Sequence, residues 1–221
     1  MENKKIAAIA LIISIMLSAV GFVYAHWVDQ ANIHGNLKMG SMTLVFDPDE
    51  ILGYVDNEPP YVTPGKDVGW GEIYYDTSTH VVDAHTGLDG YKVLVCVVHD
   101  AYPQYKIDFT TVVLLNIGTV PLDITGVTIW DPTYELNWTW VNAPPHKPCD
   151  GFFWKDFDHD NVYDDPGEKI MSVKIVNFVG IQLETGENTK GEVDLEFFQP
   201  AEMCHTYHFN IEFDATQYLG P

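Results

Sequence analysis

The stretch YKVLVCVVH at residues 91–99 and the stretch DFTTVVLLN at residues 108–116 decide the fold class of this chain. Both are apolar runs of strand length that are rich in valine and leucine. Such runs are typical of buried β-strands, whereas an amphipathic helix would repeat its apolar residues with a period near 3.6. The two segments therefore predict core strands of a β-sheet protein.

Further apolar segments of strand length recur along the rest of the chain, at residues 41–46, 71–75, 124–130, 136–141, 172–178, 193–198 and 207–215. Clusters of glycine, proline, asparagine and aspartate separate them, as expected of turns. No convincing helical stripe follows the N-terminal region. Many short strands at this spacing predict an all-β, two-sheet antiparallel sandwich, and we expect a jelly roll.

The charge balance excludes several kinds of partner. The 221 residues include 32 acidic and 11 basic side chains, every basic residue is lysine, and the formal charge is −21. Such a chain repels nucleic acid and anionic membrane surfaces, and it lacks the guanidinium group that favours phosphate recognition. No zinc-protease, serine-hydrolase or phosphate-loop motif occurs, so we expect a protein that is not an enzyme.

The N-terminus has the layout of a secretory signal peptide. Lys4 and Lys5 precede an apolar run over residues 6–23, and the sequence VYA at residues 23–25 suits cleavage after Ala25. A membrane anchor is the alternative, because a run of about 18 residues is near the lower limit for a span. Polar sequence follows directly, which favours cleavage. We expect a secreted, extracellular, cell-surface-associated protein that meets the membrane only during export.

Residues 26–39 follow the predicted cleavage site and form an extended segment with one apolar face, made of Trp27, Ala31, Ile33, Leu37 and Met39. An ordinary first strand explains this pattern. A strand donated to a neighbouring subunit also explains it, since main-chain hydrogen bonds then supply affinity and alternate side chains supply specificity. The domain prediction is a signal peptide at 1–25, this strand at 26–39 and a β domain at 40–221.

The segment KDFDHDNVYDDPGE at residues 155–168 has the spacing of metal ligands. Counted from Asp156, carboxylates stand at loop positions 1, 3, 5 and 9, and Asn161 at position 6 can adopt a left-handed turn. This spacing wraps oxygen ligands around Ca²⁺ in loops of the EF-hand type. Position 12 is a glycine, with an acid one residue later, and no helices are predicted on either side. The predicted calcium ligands, within a loop at 156–168, are Asp156, Asp158, Asp160, the carbonyl of Val162, Asp164 and Glu168.

Two other groups of possible ligands lack a fixed spacing. The acidic cluster from Asp47 to Glu58 is either a charged loop or a calcium site shared across an interface. His80, Asp83 and His85 could hold zinc, although histidines in loops are more often solvated.

The cysteines and one sequon leave further alternatives open. Cys149 and Cys204 both lie in polar, turn-rich contexts, so we favour this pair if one disulfide forms; three free thiols are the alternative. Asn137 begins an Asn-Trp-Thr sequon for N-glycosylation on a predicted strand.

Four segments in order along the chain resemble the TasA/camelysin family of secreted β-proteins, whose members carry SipW-type signal peptides. They are YAHWVD (24–29) with HGNLKMGSMTL (34–44), LNIGTVPL (115–122), LETGENTKGEV (183–193), and FQPAE (198–202) with TYHF (206–209) and ATQY (215–218). Tyr218 stands where the family pattern has tryptophan. The acidity and the calcium-type loop make the chain most similar to archaeal cannula and bundling-pilus subunits.

The resemblance implies a jelly-roll subunit that polymerises outside the cell as a fibre, pilus or calcium-dependent tube. It also implies that the N-terminal strand of one subunit fills a groove in the next. We therefore expect donation of residues 26–39, a head-to-tail homopolymer that could include paralogous subunits, and Ca²⁺ as cofactor. The alternative is a monomeric, calcium-stabilised module that binds carbohydrate or protein through Trp70, Trp130, Trp138, Trp140 and Trp154.

Overall fold

The computed structural model describes residues 40–50, 52–57, 69–163, 165–199, 201–202 and 204–218. The chain divides between Met39 and Gly40, and the described residues belong to the second unit. The predicted signal peptide, the predicted donor strand and the predicted ligand Asp164 lie outside the described residues.

Strands dominate the described residues, which contain no α-helix. In chain order they are β1 (Leu44–Phe46), β2 (Gly53–Asn57), β3 (Trp70–Tyr75), β4 (His80–Val82), β5 (Asp89–Tyr91), β6 (Val93–Ala101), β7 (Lys106–Asn116), β8 (Leu122–Trp130), β9 (Asn137–Asn142), β10 (Cys149–Trp154), β11 (Lys169–Val176), β12 (Gln182–Leu183), β13 (Asn188–Phe197) and β14 (His205–Gln217). Short 3₁₀ turns occur at Thr77–Thr79 and Pro166–Glu168. The all-β prediction is confirmed for this part of the chain.

The strands form two antiparallel sheets. Sheet A has the order β4-β5-β1-β7-β13-β11-β10-β9, and β2 pairs with β7 on the edge that β7 shares with β1. Sheet B has the order β12-β8-β14-β6-β3. Both β13 and β14 insert between strands from earlier in the chain, so most pairings are between distant segments.

The two sheets pack face to face over one apolar core, and the fold is a β-sandwich. Aromatic pairs bridge the layers: Phe46 lies 5.9 Å from Phe213, and Phe153 lies 5.8 Å from Phe209, measured between ring centroids. The two runs that indicated the fold class supply core side chains such as Leu94, which is fully buried in the same core.

Strand direction gives the sandwich two distinct ends. The turns after β6, β8 and β13 and the loop between β10 and β11 all lie at one end, which we call the acidic-loop end. Contacts tie these connections together, for example Lys155 Nζ with Glu202 Oε1 at 3.0 Å. The opposite end receives the chain at Gly40, and we call it the entry end. There the Ser41 amide donates to Thr119 Oγ1 at 2.8 Å.

A buried carboxylate anchors the chain at the entry end. Asp83 is 6% exposed, and its Oδ2 accepts a hydrogen bond from the Ser41 hydroxyl at 2.5 Å. Its Oδ1 accepts from the amides of His85 and Thr86 at 2.8 and 3.0 Å. These hydrogen bonds, with that from Ser41 the strongest, lower the pKa of Asp83 to about 2.

Asp83→Asn should destabilise the protein near neutral pH and leave it less sensitive to acid than the parent. The folded-state pKa of about 2 lies below the ordinary value of 3.8. The stabilisation is therefore complete above the ordinary pKa and is lost as pH falls from about 4 to about 2. Thermal unfolding should give a lower Tm for the variant at pH 6 and a smaller difference at pH 2. Asp214→Asn, at an exposed carboxylate, is the control; an equal Tm difference at both pH values would contradict this role of Asp83.

Candidate metal centre

The acidic loop is held at its base by two neighbouring antiparallel strands. β10 ends at Trp154 opposite Lys169 of β11, and the Lys155 amide donates to the Glu168 carbonyl at 3.0 Å. Asp165 caps the short 3₁₀ turn by accepting from the Gly167 amide at 2.7 Å. This turn carries Glu168 back toward the beginning of the loop.

Three carboxylates converge as a result. Asp156, Asp158 and Glu168 each offer an oxygen, and these oxygens all lie within 4.8 Å of one another. Oxygens on opposite sides of one calcium ion lie up to about 5 Å apart, since each Ca–O distance is about 2.3–2.6 Å. The arrangement is therefore of the right size for one hard cation.

Glu168 is the buried member of this triad. Its side chain is 4% exposed, and its Oε1 accepts a long hydrogen bond from the Phe157 amide at 3.4 Å. Its Oε2 is buried and has no hydrogen-bond partner among the described residues. A buried carboxylate oxygen without a partner is costly, so a positively charged ligand at this atom would be stabilising.

Asp156 organises the loop through backbone amides. Its Oδ1 accepts from His159 at 2.6 Å and from Asp160 at 3.2 Å, and its Oδ2 accepts from Asn161 at 2.8 Å. The predicted left-handed turn at Asn161 is confirmed, with φ at 62°. Burial acts to raise the pKa of Asp156, but the hydrogen bonds, led by that from Asn161, lower it below its ordinary value.

The pKa of Asp158 is shifted in the opposite direction. A hydrogen bond from the Asp160 amide acts to lower this pKa, but burial and the negative charges of neighbouring carboxylates, including Glu168, outweigh it and raise the pKa. Like charges at this separation oppose ionisation of Asp158. A bound cation would relieve that repulsion.

The triad differs from the predicted ligand set. Asp160 Oδ1 accepts from the Val162 amide at 2.7 Å, so this carboxylate closes a local turn instead of joining Asp156 and Asp158. Asp164 is outside the described residues. Of the four predicted carboxylate ligands that the structure describes, three thus come together, and the late acid, Glu168, has the most buried position.

The other proposed ligand groups do not converge in the described part of the chain. Glu50 pairs with Lys190 at 3.0 Å, and Asp47 Oδ1 accepts from the amide of Asp49 at 3.0 Å. The remaining acids of that cluster have no described side chains. His80 pairs with Asp89 at 2.8 Å, away from a zinc arrangement with Asp83.

The local structure around one cysteine, Cys149, was predicted wrongly. Cys149 is the first residue of β10 and is 1% exposed, rather than part of a polar turn, because apolar residues of β10 follow it into the core. Cys204 is exposed, and all three cysteines are free thiols. Asn137 of the sequon is exposed at the start of β9, whereas Thr139 Oγ1 accepts from the Trp154 indole at 3.0 Å.

The tryptophans do not form one binding surface. Trp70 is on β3 and Trp130 is on β8, and these two strands lie toward opposite edges of sheet B. Trp154 is buried, and Trp138 packs edge-on against Trp140 with 5.0 Å between ring centroids. This distribution weakens the alternative of a carbohydrate-binding module.

In comparisons with protein-family models, curated proteins and solved structures, nothing matches this chain. The resemblance to the TasA/camelysin family therefore stays a prediction. Among the described residues, no helix is long and apolar enough to cross a membrane.

Proposed function

We propose that this protein is a non-enzymatic, secreted structural subunit that polymerises head to tail outside the cell. Residues 26–39 of each copy pair with the next copy, and a calcium ion binds at Asp156, Asp158 and Glu168. The observation that carries the proposal is an open sheet edge along β8.

The outer edge of β8 is only partly paired. β12 pairs with it through Gln182 and Leu183 alone, opposite Asp123 and Leu122. Beyond the contacts of Ile124 with the turn at residues 180–181, no described strand pairs with this edge up to Trp130. An unpaired strand edge is a template for an added strand.

Side chains beside this opening suit an added strand. Trp138 lies on β9, an edge strand of sheet A, and its indole Nε1 is buried without a hydrogen-bond partner among the described residues. A backbone carbonyl of an added strand could accept from it. A cavity of about 190 Å³ lies near the β12 end of the opening and is lined partly by Ile175, Val179 and Ile181. An apolar side chain of the added strand could fill it.

The path of the chain favours pairing between copies. Gly40 packs so closely on Val120 that an added Cβ would lie 2.3 Å from its Cγ1, so the described domain begins at the entry end. The open part of β8 extends toward the acidic-loop end. A segment that leaves at one end and is accepted toward the other makes a head-to-tail contact, which propagates into a polymer.

The finer topology also belongs to this proposal. We assign the sandwich to a jelly-roll type, supported by the insertion of β13 between β7 and β11 and of β14 between β6 and β8. Calcium would add to assembly by neutralising part of a formal charge of −21, which otherwise keeps copies apart.

The test is electron microscopy of the purified secreted protein with Ca²⁺, with Mg²⁺ and with a chelator. We expect filaments or tubes with Ca²⁺ and dispersed subunits with the chelator. Mg²⁺ is the matched control for charge screening, because it demands a stricter octahedral site and dehydrates reluctantly. Dispersed monomers under all three conditions would rule out the proposal.

A further inference from the structure

The acidic-loop end presents three exposed apolar side chains on two connections. Tyr134 is 89% exposed in the turn after β8, and Phe157 and Val162 are 49% and 53% exposed in the acidic loop. Most large apolar side chains of the described residues lie in the core. The exposure of three such side chains at one end of the sandwich therefore needs an explanation.

A chain of side-chain contacts joins the two connections. Lys155 pairs with Glu202 at 3.0 Å, His205 lies 3.9 Å from Glu202, and the same ring lies 3.9 Å from Glu135. Glu135 directly follows Tyr134, and Lys155 begins the acidic loop. The exposed apolar side chains thus stand on parts of the surface that are held near one another.

The carboxylate triad opens at this same end. Glu168 is buried, whereas Asp158 is exposed. Calcium takes six to eight oxygens, and the triad supplies fewer even if a carboxylate binds through both oxygens. An ion held there would need further oxygens on its solvent side, which the Val162 carbonyl, Asp164 outside the described residues, or another molecule would supply.

We propose that the acidic-loop end docks on an anionic phospholipid surface through this bound calcium. Lipid phosphate oxygens complete the coordination of the ion, and Tyr134, Phe157 and Val162 enter the headgroup region. The proposal rests on the calcium site proposed above. With a formal charge of −21, the protein is repelled by such a surface unless a cation bridges the two.

The size of the patch favours a lipid surface over a protein partner. A stable protein interface buries about 800 Å² on each partner, more than three side chains on the tips of connections provide. A bilayer interface accepts protruding tips, and aromatic side chains favour the headgroup level. Gly40, the first described residue, lies at the opposite end, so docking would suit the terminal copy of the proposed polymer.

Vesicle flotation with the purified secreted protein tests this proposal, because vesicles float in a density gradient while free polymers do not. The vesicles contain phosphatidylcholine with about 30% phosphatidylserine. We expect flotation with Ca²⁺, none with a chelator, and none on pure phosphatidylcholine. Changing Tyr134, Phe157 and Val162 together to serine should reduce the floated fraction about tenfold. Val82→Ser with Leu88→Ser, at exposed positions near the entry end, should leave flotation unchanged.

The outcomes separate this inference from the proposed function. If Ca²⁺ raises the Tm but the protein does not float, docking is refuted while the calcium site stands. If the triple serine variant floats like the parent, the side chains of Tyr134, Phe157 and Val162 have no role in docking and the proposal fails. A calcium-dependent dimer without flotation assigns this end to a second copy and also overturns it. Absence of both the Tm response and flotation removes the calcium site and the docking together.

Discussion

Deleting residues 26–39 should abolish the proposed polymerisation and leave a soluble, folded monomer. The described domain has its own core, built from both sheets, so the truncated protein should keep its far-UV spectrum and its calcium response. The open edge of β8 would then have no strand to accept. Sedimentation and electron microscopy with Ca²⁺ should detect monomers only, and a synthetic peptide of residues 26–39 should bind the truncated protein.

A single charge tests the same contact without truncation. Ile33→Asp puts a carboxylate on the predicted buried face and should abolish assembly, because burying an unpaired charge is strongly unfavourable. Gln30→Asp adds the same charge on the polar face and should still polymerise. If Ile33→Asp forms normal polymers, strand donation is wrong and residues 26–39 are an ordinary first strand.

The second large effect concerns the metal centre. Asp156→Asn with Glu168→Gln should abolish the increase in Tm that Ca²⁺ produces in the parent. A ligand at a hundred times its dissociation constant stabilises the folded state by about 2.7 kcal/mol. For a domain of this size, that corresponds to a Tm shift of roughly 5–10 °C. Differential scanning calorimetry with Ca²⁺ and with a chelator measures the difference.

Two single variants distinguish the observed triad from the predicted ligand set. Asp160→Asn should keep most of the calcium response, because Asp160 bonds to Val162 within a local turn. Glu168→Gln should weaken calcium binding and raise the Tm in chelator, since it removes a buried charge without a partner. If the double variant keeps its full response, the ion binds elsewhere, and the acidic cluster from Asp47 to Glu58 is the next place to test.

The strands that could be predicted were those with a continuous or alternating apolar pattern. The runs at residues 91–99 and 108–116 correspond to β6 and β7 because valine and leucine continue through each of them. β10 was missed, since Asp150 and Gly151 interrupt its pattern. Gly151 is required by a neighbour: an added Cβ would lie 2.5 Å from the Thr139 carbonyl oxygen of β9. A close approach between separate strands leaves no local signal in the sequence.

The candidate site was predictable in part for the same reason. Ligand spacing identified Asp156 and Asp158, which are neighbours in the loop. The burial of Glu168 depends on a 3₁₀ turn and on packing against the paired ends of β10 and β11. The open edge of β8 is a property of the whole sheet order, so no segment of sequence indicates it.

The anchoring of Ser41 determines where mechanical load would enter a subunit. In a polymer of the proposed kind, tension along residues 26–39 reaches the domain first at Gly40 and Ser41. From there it passes to Asp83 and Thr119 through side-chain hydrogen bonds, and along β1 to its neighbour β7. Because β1 runs antiparallel to β7, a pull along it loads their hydrogen bonds together in shear. The tensile strength of the polymer would then depend on this short strand and its anchor.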